Sequence, residues 1–553
     1  MNRPLFIGIV QSGVHDGPDV DNPSQHQDPE CAGSDELERC HEEAPLQQLP
    51  ETRNEEAGQC GDYVAGRTLS RHVAPRSDLN RPTMQSSGKL REAPAQIFRE
   101  YDIRGLAGTE LTPETARLVG IAYAAFLAAS GVTGPIAIGR DNRPSGVGLH
   151  DALVPALTDS GIEVVDVGMV PTPALYWCLE TLGVAGGIQI TASHNPAAYN
   201  GFKLCVGKRA LQGEEIQQLL TLVREGRRVN GHAAGCVRTL SILDRYVDDL
   251  VAHIGGPLPR RLHVALDCAN GVGSLVAPRL LERLGVTVST CLLCESDGTF
   301  PRRQPDPSQA QNLADLIAAV RASAQGGSPI DAGIALDGDA DRLGVVDATG
   351  EIIWGDRVLA IFARDVLAEA AYRGAPIIFD VKSSQALDEA IRASGGKPVM
   401  WKTGHSLIES KMQELHSPLA GELSGHMYIG DRYYGFDDGL YAAARLLKIM
   451  ATSAKSITEL LAGVPTYPIS PEIRVDCPDD RKFDIVRHAV AHWSATHEVI
   501  TVDGARVSFS DGWGLIRASN TQPALVLRFE ARTEARLAQI QSEMEGWLNA
   551  ELG

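Results

Sequence analysis

Three aspartates, Asp337, Asp339 and Asp341, alternate at i, i+2 and i+4 in "DAGIALDGDADRLGVVD", directly after an apolar run. In extended backbone that spacing points all three carboxylates the same way. Converging anions repel one another unless a cation sits between them, so a hard divalent ion is their natural partner. The stretch fails as an EF-hand, because Arg342 and Ala348 occupy the sixth and twelfth positions, where glycine and glutamate are required. A phosphatase with an aspartyl nucleophile also follows a strand with D-x-D, but then places a small hydroxyl or branched residue where Asp341 stands. A third carboxylate favours metal binding, and the flanking apolar runs disfavour a merely solvated acidic turn.

Three further stretches carry reactive groups. In "GGIQITASHNPAAYNGFK", Ser193 follows a short apolar run and precedes His194 and the turn-forming Asn195-Pro196, with Lys203 ten residues on. This places a hydroxyl on a loop at the end of a strand. "LAGELSGHMYIGDRYYGFDDG" alternates Glu422, Ser424 and His426, an acceptor, a hydroxyl and an imidazole suited to sugar hydroxyls. "GWGLIRASNTQP" sets Arg517, Ser519, Asn520 and Thr521 on a turn after a strand, donors of the kind a phosphate dianion needs. Taken singly, each of these three loops is more readily read as an ordinary polar turn.

The elements around them repeat. "PIAIGRDNRPSGVGLHDALVPALTDSGIEVVDVG", "LHVALDCANGVGSLVAPRLLERLGVTVST" and "PIIFDVKSSQALDEAIRASGGKPVMWKTG" each run strand, polar turn, amphipathic helix, glycine, strand. Their turn acids Asp141, Asp267 and Asp380 lie 126 and 113 residues apart. The switch of hydrophobic period from two to about 3.6 and back marks a βαβ crossover. Three similar mixed α/β domains are expected, at 95–245, 246–350 and 351–465. A smaller α+β domain at 466–553, with "DG" hairpin turns and a final helix, completes the chain.

Residues 1–94 differ. Residues 1–83 hold 15 acidic and 7 basic side chains, no lysine and two aromatics, Phe6 and Tyr63, which predicts a disordered acidic segment. Met84 is a candidate translation start within it. The 553-residue chain has a net charge of −19, which argues against a nucleic-acid binder. No apolar run approaches a membrane span, and the short "PLFIGIV" leads straight into polar sequence, so the expected compartment is the cytoplasm. The ten cysteines include one C-x-x-C pair, Cys291 and Cys294, without a second pair for zinc; all are read as reduced and structural.

Together "TASHNP", "DGDADR", "GELSGH" and "RASNTQP", in this order and at domain-scale spacing, resemble the α-D-phosphohexomutases, and are most similar to the bacterial phosphomannomutase/phosphoglucomutase branch. The resemblance spans about residues 95 to 553. It implies four domains around one central cleft: a phosphoserine, a metal-binding, a sugar-binding and a phosphate-binding domain in chain order. It implies reversible interconversion of the 1- and 6-phosphates of mannose and glucose through phospho-Ser193 and a bound 1,6-bisphosphate. One Mg²⁺ on Ser193, Asp337, Asp339 and Asp341 and glucose 1,6-bisphosphate as activator are implied as cofactors. By position, Arg104, Lys203 and Arg342 stabilise the moving phosphoryl, and Lys203 or His426 serves as general base. Tyr101, Arg342, Lys382, His405, Glu422, Ser424, His426, Arg517, Ser519, Asn520 and Thr521 contact substrate. The sister phosphoglucosamine branch typically shows "DGDGDR" and an "SGT" loop instead. Sugar phosphates are the implied partners, with a monomer expected and surface-polysaccharide supply as the role. A metal-dependent phosphomonoesterase and a silent sugar-phosphate binder are the competing readings.

Overall fold

Among the described residues four larger sheets follow one another along the chain, besides one two-stranded pair, and the first three are built on the same order of four strands. The computed structural model describes residues 93–520 and 522–553 and the backbone of the short strand Gln85–Ser86, all within one unit, Leu69–Gly553. In the first repeat, β1 (Ile136–Arg140) lies parallel between β2 (Val164–Met169) and β3 (Gly186–Ile190), and β4 (Tyr199–Val206) returns antiparallel along β3. The second repeats this with β5 (His263–Asp267), β6 (Thr287–Leu292), β7 (Ala332–Leu336) and β8 (Leu343–Asp347). The third does so with β9 (Pro376–Asp380), β10 (Lys397–Trp401), β11 (Leu419–Gly421) and β12 (Met427–Ile429).

Each repeat is thus a βαβ crossover followed by a hairpin, which makes the sheets mixed. The crossover helix Gln385–Ala393 shows why the pattern was readable. Ser384 caps it by accepting the Ala386 amide, and Ala386, Leu387, Ala390 and Ile391 form its buried stripe. Asp141, Asp267 and Asp380 end or follow the three central strands, fully buried, each beside a cation: Arg143, Arg303 and Lys382. A carboxylate there would be costly without such a partner.

The fourth sheet is antiparallel, in the order β13 (Ile473–Asp476), β17 (Ala524–Ala531), β16 (Gly512–Ala518), β15 (Ala505–Phe509), β14 (Glu498–Ile500). Helices Asp479–Trp493 and Glu534–Leu552 cover it. Leu537, Ile540, Met544 and Leu548 of the second helix, spaced for one face, enter its core. One apolar cluster runs through the first three repeats, whereas the fourth sheet has its own, joined to the third repeat by a small cluster of Val381, Trp513 and Leu515.

One sequence expectation changes. Cys291 and Cys294 are not reduced: the chain turns at the exit of β6, with Leu293 at φ 48°, brings the two Cα atoms to 6.0 Å, and the sulfurs are bonded. Ala93 is buried in the first core, and the backbone of Gln85–Ser86 pairs with Arg227–Arg228. The remaining expectations for the N-terminal segment, Met84 included, lie outside the described residues, as does Thr521. Among the described residues no helix is long and apolar enough to cross a membrane.

Candidate active site

The reactive stretches occupy equivalent places in the fold. Ser193 lies between β3 and β4, the aspartates between β7 and β8, and Glu422–His426 between β11 and β12; Arg517 leads out of β16 toward β17. Every one is the connection of an antiparallel hairpin, so the repeat delivers one loop per sheet to a common cleft of about 410 Å³.

Ser193 is buried and takes up the left-handed region at φ 48°, a conformation that costs a non-glycine residue ~1 kcal/mol or more. Arg143 holds it there. All five guanidinium N–H groups of this fully buried residue are used: Nε donates to Asp141 Oδ2 (3.0 Å), Nη1 to the carbonyls of Pro196 (2.7 Å) and Tyr199 (3.0 Å), and Nη2 to those of Ser193 (2.8 Å) and Asn195 (2.7 Å). The Ser193 amide donates to Thr191 Oγ1 at 2.9 Å, and Thr191 in turn donates to Asp141 at 2.7 Å.

The second loop is pressed against the first. A Cβ on Gly338 would lie 2.5 Å from the Ser193 carbonyl oxygen, so only glycine lets the loops meet. Ser193 Oγ donates to Asp337 Oδ2 at 2.8 Å. Asp337, Asp339 and Asp341 are fully buried, and their ligand atoms lie within 4.8 Å of one another, a cluster that can hold a metal ion. Burial, then Asp341 and Asp339, push the Asp337 carboxyl well above the usual range, and Asp339 Oδ1 and Asp341 Oδ1 are buried without hydrogen-bond partners. An all-oxygen set short of counter-charge fits a hard divalent cation.

Cations ring this cluster. Lys203 Nζ is ion-paired with Asp341 and lies 3.5 Å from Asp339. Burial opposes its charge, but Asp341, Asp339 and Asp437 outweigh burial and hold the ammonium above its usual range. Arg342 donates from Nε to His426 Nε2 at 3.0 Å and approaches Asp306 and Asp337. His426 Nδ1 lies 2.8 Å from Asp437 Oδ2, so the ring's two nitrogens face a donor and a carboxylate. Arg104 bonds Asp102 and Asn195 Oδ1. His194 Nδ1 lies 3.2 Å from Ser193 Oγ, and burial followed by the nearby Arg342 and Arg104 holds its imidazole well below the usual range.

Farther along the cleft, Glu422 accepts the Gly404 amide and the Ser424 hydroxyl, each at 2.9 Å. His405 opens the helix His405–Leu415, edge-on to the Tyr101 ring at 5.0 Å; its Nε2 is buried without a partner, and burial holds it neutral. Lys382 lies between Asp380 and Glu472. Arg517, Ser519 and Asn520 form part of the wall with Arg474 and Arg528.

The cleft therefore gathers Tyr101, Arg104, Ser193, Lys203, Arg342, Lys382, His405, Glu422, Ser424, His426, Arg517, Ser519 and Asn520. The aspartates sit behind Ser193 rather than on the wall. Sequence reasoning missed Arg143, Asp306, Asp437, Arg474, Asp503 and Arg528. Arg143 alone had a signal, two residues after the repeated turn acid Asp141 in "GRDNRP".

Comparison with known proteins identifies the family. Residues 95–228, 244–350 and 354–467 match the family descriptions phosphoglucomutase/phosphomannomutase alpha/beta/alpha domains I, II and III, and 472–546 matches the C-terminal domain. A phosphomannomutase/phosphoglucomutase of Pseudomonas putida is 46% identical over 450 residues, covering 81% of this chain and 94% of that protein. A phosphoglucomutase of Neisseria gonorrhoeae is 46% identical over 452 residues, covering 81% and 96%. The crystal structure of a family protein from Burkholderia thailandensis superposes with a TM-score of 0.74 at 41% identity, covering 82% of this chain and 97% of that one. The chain belongs to the phosphoglucomutase/phosphomannomutase family and is a phosphohexose mutase, an isomerase.

Proposed function

We propose that the protein interconverts the 1- and 6-phosphates of mannose and glucose, with Ser193 carrying the phosphoryl group. The observation that supports this most is the placement of Ser193 Oγ, 2.8 Å from Asp337 in a nest of three carboxylates, on the wall of a cleft that also holds Arg517, Ser519 and Asn520. In the forward direction phospho-Ser193 passes its phosphoryl to the free hydroxyl of a hexose monophosphate, and that hydroxyl gives its proton to a base, Lys203 or His426, which returns it to the sugar oxygen freed when the second phosphoryl leaves. The resulting 1,6-bisphosphate turns in the cleft, and Ser193 Oγ takes back the other phosphoryl. Arg104, Lys203 and Arg342 offset the charge that develops during transfer, where fixed charges in a water-poor site act most strongly. Arg517, Ser519, Asn520 and Thr521 take the distal phosphate, and Lys382, which lines the same cleft, is a further substrate contact. Glu422, Ser424, His405 and Tyr101 hold the sugar hydroxyls.

Asp337, Asp339, Asp341 and Ser193 are the residues we assign to one Mg²⁺, which when bound neutralises the carboxylates and the transferring phosphoryl. His426 and Lys203 both remain as bases for the sugar hydroxyl. Lys203 is the charged partner of Asp341 here and must give up a proton before it can accept one, whereas His426 Nε2 has only to be released by Arg342. Residues 95–245, 246–350, 351–465 and 466–553 then act as phosphoserine, metal, sugar and phosphate domains, with glucose 1,6-bisphosphate as activator. We assign the enzyme to the cytoplasm as a monomer; the Cys291–Cys294 bridge, of a kind rare in reducing compartments, weighs against that location.

The test is a mutase assay on the full chain with Mg²⁺ and a trace of glucose 1,6-bisphosphate, comparing mannose, glucose and glucosamine 1-phosphates. Formation of 6-phosphates from the first two, lost in Ser193→Ala, is the expected result. Free phosphate without isomer would overturn it.

A further inference from the structure

Arg517 reaches the cleft from the fourth sheet, and the loop Thr403–His405 reaches it from the third repeat. One carboxylate oxygen touches both. Asp503 Oδ2 accepts from Arg517 Nε at 2.9 Å and from the Thr403 amide at 3.0 Å. Asp503 has little freedom to lie elsewhere: it precedes Gly504, at φ +100°, where a Cβ would come 2.7 Å from Arg517 Cβ and 2.5 Å from the Ile516 carbonyl. Thr403 leads into Gly404, whose amide is bound by Glu422, and into His405 at the start of its helix. Because Asp503 engages Nε, it leaves the two Nη groups of the guanidinium for a ligand, and Arg517 Nη2 is buried without a hydrogen-bond partner. Two parallel Nη donors suit a phosphate oxygen pair. The fourth sheet and the third repeat share little apolar core, so polar ties of this kind set how the two cleft walls face each other.

We propose that Asp503 is a positioning residue that aims Arg517 at the distal phosphate and fixes the spacing between Arg517 and the His405 loop, so that a sugar bisphosphate stays held across both walls while it turns. This rests on the mutase reading above. Neither partner of Asp503 depends on it for a place in the fold: Arg517 is in the β16 ladder and Gly404 is tied by Glu422. Its loss is therefore expected to act on ligand retention more than on folding.

The experiment uses the full chain with Asp503→Asn, which keeps the shape and removes the charge. Three readouts are taken: kcat and KM for glucose 1-phosphate, the concentration of added glucose 1,6-bisphosphate needed for half-maximal rate, and the thermal midpoint. Charge-assisted bonds of this kind predict a rise in KM on the order of tenfold. The bisphosphate requirement rises by about the same factor, since escaped intermediate must be replaced, and the midpoint stays within about 2 °C of the parent. Unchanged KM and bisphosphate requirement would overturn the proposal, whatever happens to kcat or melting. If Asp503→Asn does not fold, Asp503→Glu, which keeps the charge but displaces it by one methylene, is read in the same way. Calorimetric binding of glucose 6-phosphate to Ser193→Ala, with and without Asp503→Asn, separates this proposal from the mutase reading. A tenfold loss of affinity upholds the positioning role even where no turnover is found, and equal affinities refute it.

Discussion

Arg143→Lys tests how the nucleophile loop is built. The guanidinium makes five bonds, four of them to carbonyls of residues 193–199 and one to Asp141. An ammonium has three donors from a single point, so at least two of the five are lost while Asp141 keeps a counter-charge. Hydrogen bonds from a charged donor are worth ~1.5–3 kcal/mol each, so the change costs ~3–6 kcal/mol, concentrated in one loop. Ser193, at φ 48°, is the residue least able to keep its conformation without that support. A displacement of about 1 Å at a reacting atom costs on the order of 10²-fold in rate. The assay follows phosphorylation of Ser193 by glucose 1,6-bisphosphate with intact-mass spectrometry, alongside kcat. The expected outcome is a fall of about 10² in both, with far-ultraviolet circular dichroism unchanged. Wild-type kcat in Arg143→Lys would refute the claim that the five-bond fan positions the serine. Arg143→Met, which leaves Asp141 buried and unpaired, should be worse still, and adding Asp141→Asn should restore part of the stability lost.

Three other outcomes follow from the geometry. Gly338→Ala would force the Ser193 carbonyl aside, and kcat should fall by about 10² with little change in KM, as the steady-state kinetics will report. Chelation should abolish mutase activity and Mg²⁺ restore it; Mg²⁺ should also raise the thermal midpoint of the parent but not of Asp339→Asn, as read by differential scanning fluorimetry. Glu409, on the helix His405–Leu415, is pushed from 4.5 to about 8 by burial and by Asp437 and Glu180, against the pull of Arg209. The folded chain then holds a proton that the unfolded chain gives up, so this group's contribution to stability falls as pH rises from about 4.5 through 8. Glu409→Gln should melt like the parent at pH 4.5 and higher than it above pH 8, in melts taken across that range.

Much of this protein was written in local pattern. The period switch at "PIIFDVKSSQALDEAI" is set by backbone geometry within a dozen residues, so strands, crossover helices and the threefold repeat could be read directly. The carboxylates of Asp337, Asp339 and Asp341 do converge, but on a turn with Ala340 at φ 62° rather than on extended backbone, so the alternation named the cluster without giving the geometry that gathers it. Ser193, Lys203, His426 and Arg517 stood in loops that singly read as polar turns, and it was the four motifs together, by their resemblance to a family, that gave them and Arg342 roles. What local pattern does not encode is which distant backbone a side chain will satisfy. Nothing in "GRDNRP" shows that Arg143 spends four of its five donors on a loop some 50 residues away, because a buried guanidinium takes its partners from whatever the packed sheets present. Asp503 resembled any acid in a "DG" turn until the fourth sheet set it between Arg517 and Thr403. The Cys291–Cys294 bond depended on the turn at Leu293, whose left-handed conformation no residue type there announces. Sequence determined the loops and their chemistry; only tertiary structure decided their mutual distances, since contacts between elements far apart in the chain are settled by packing rather than by propensity.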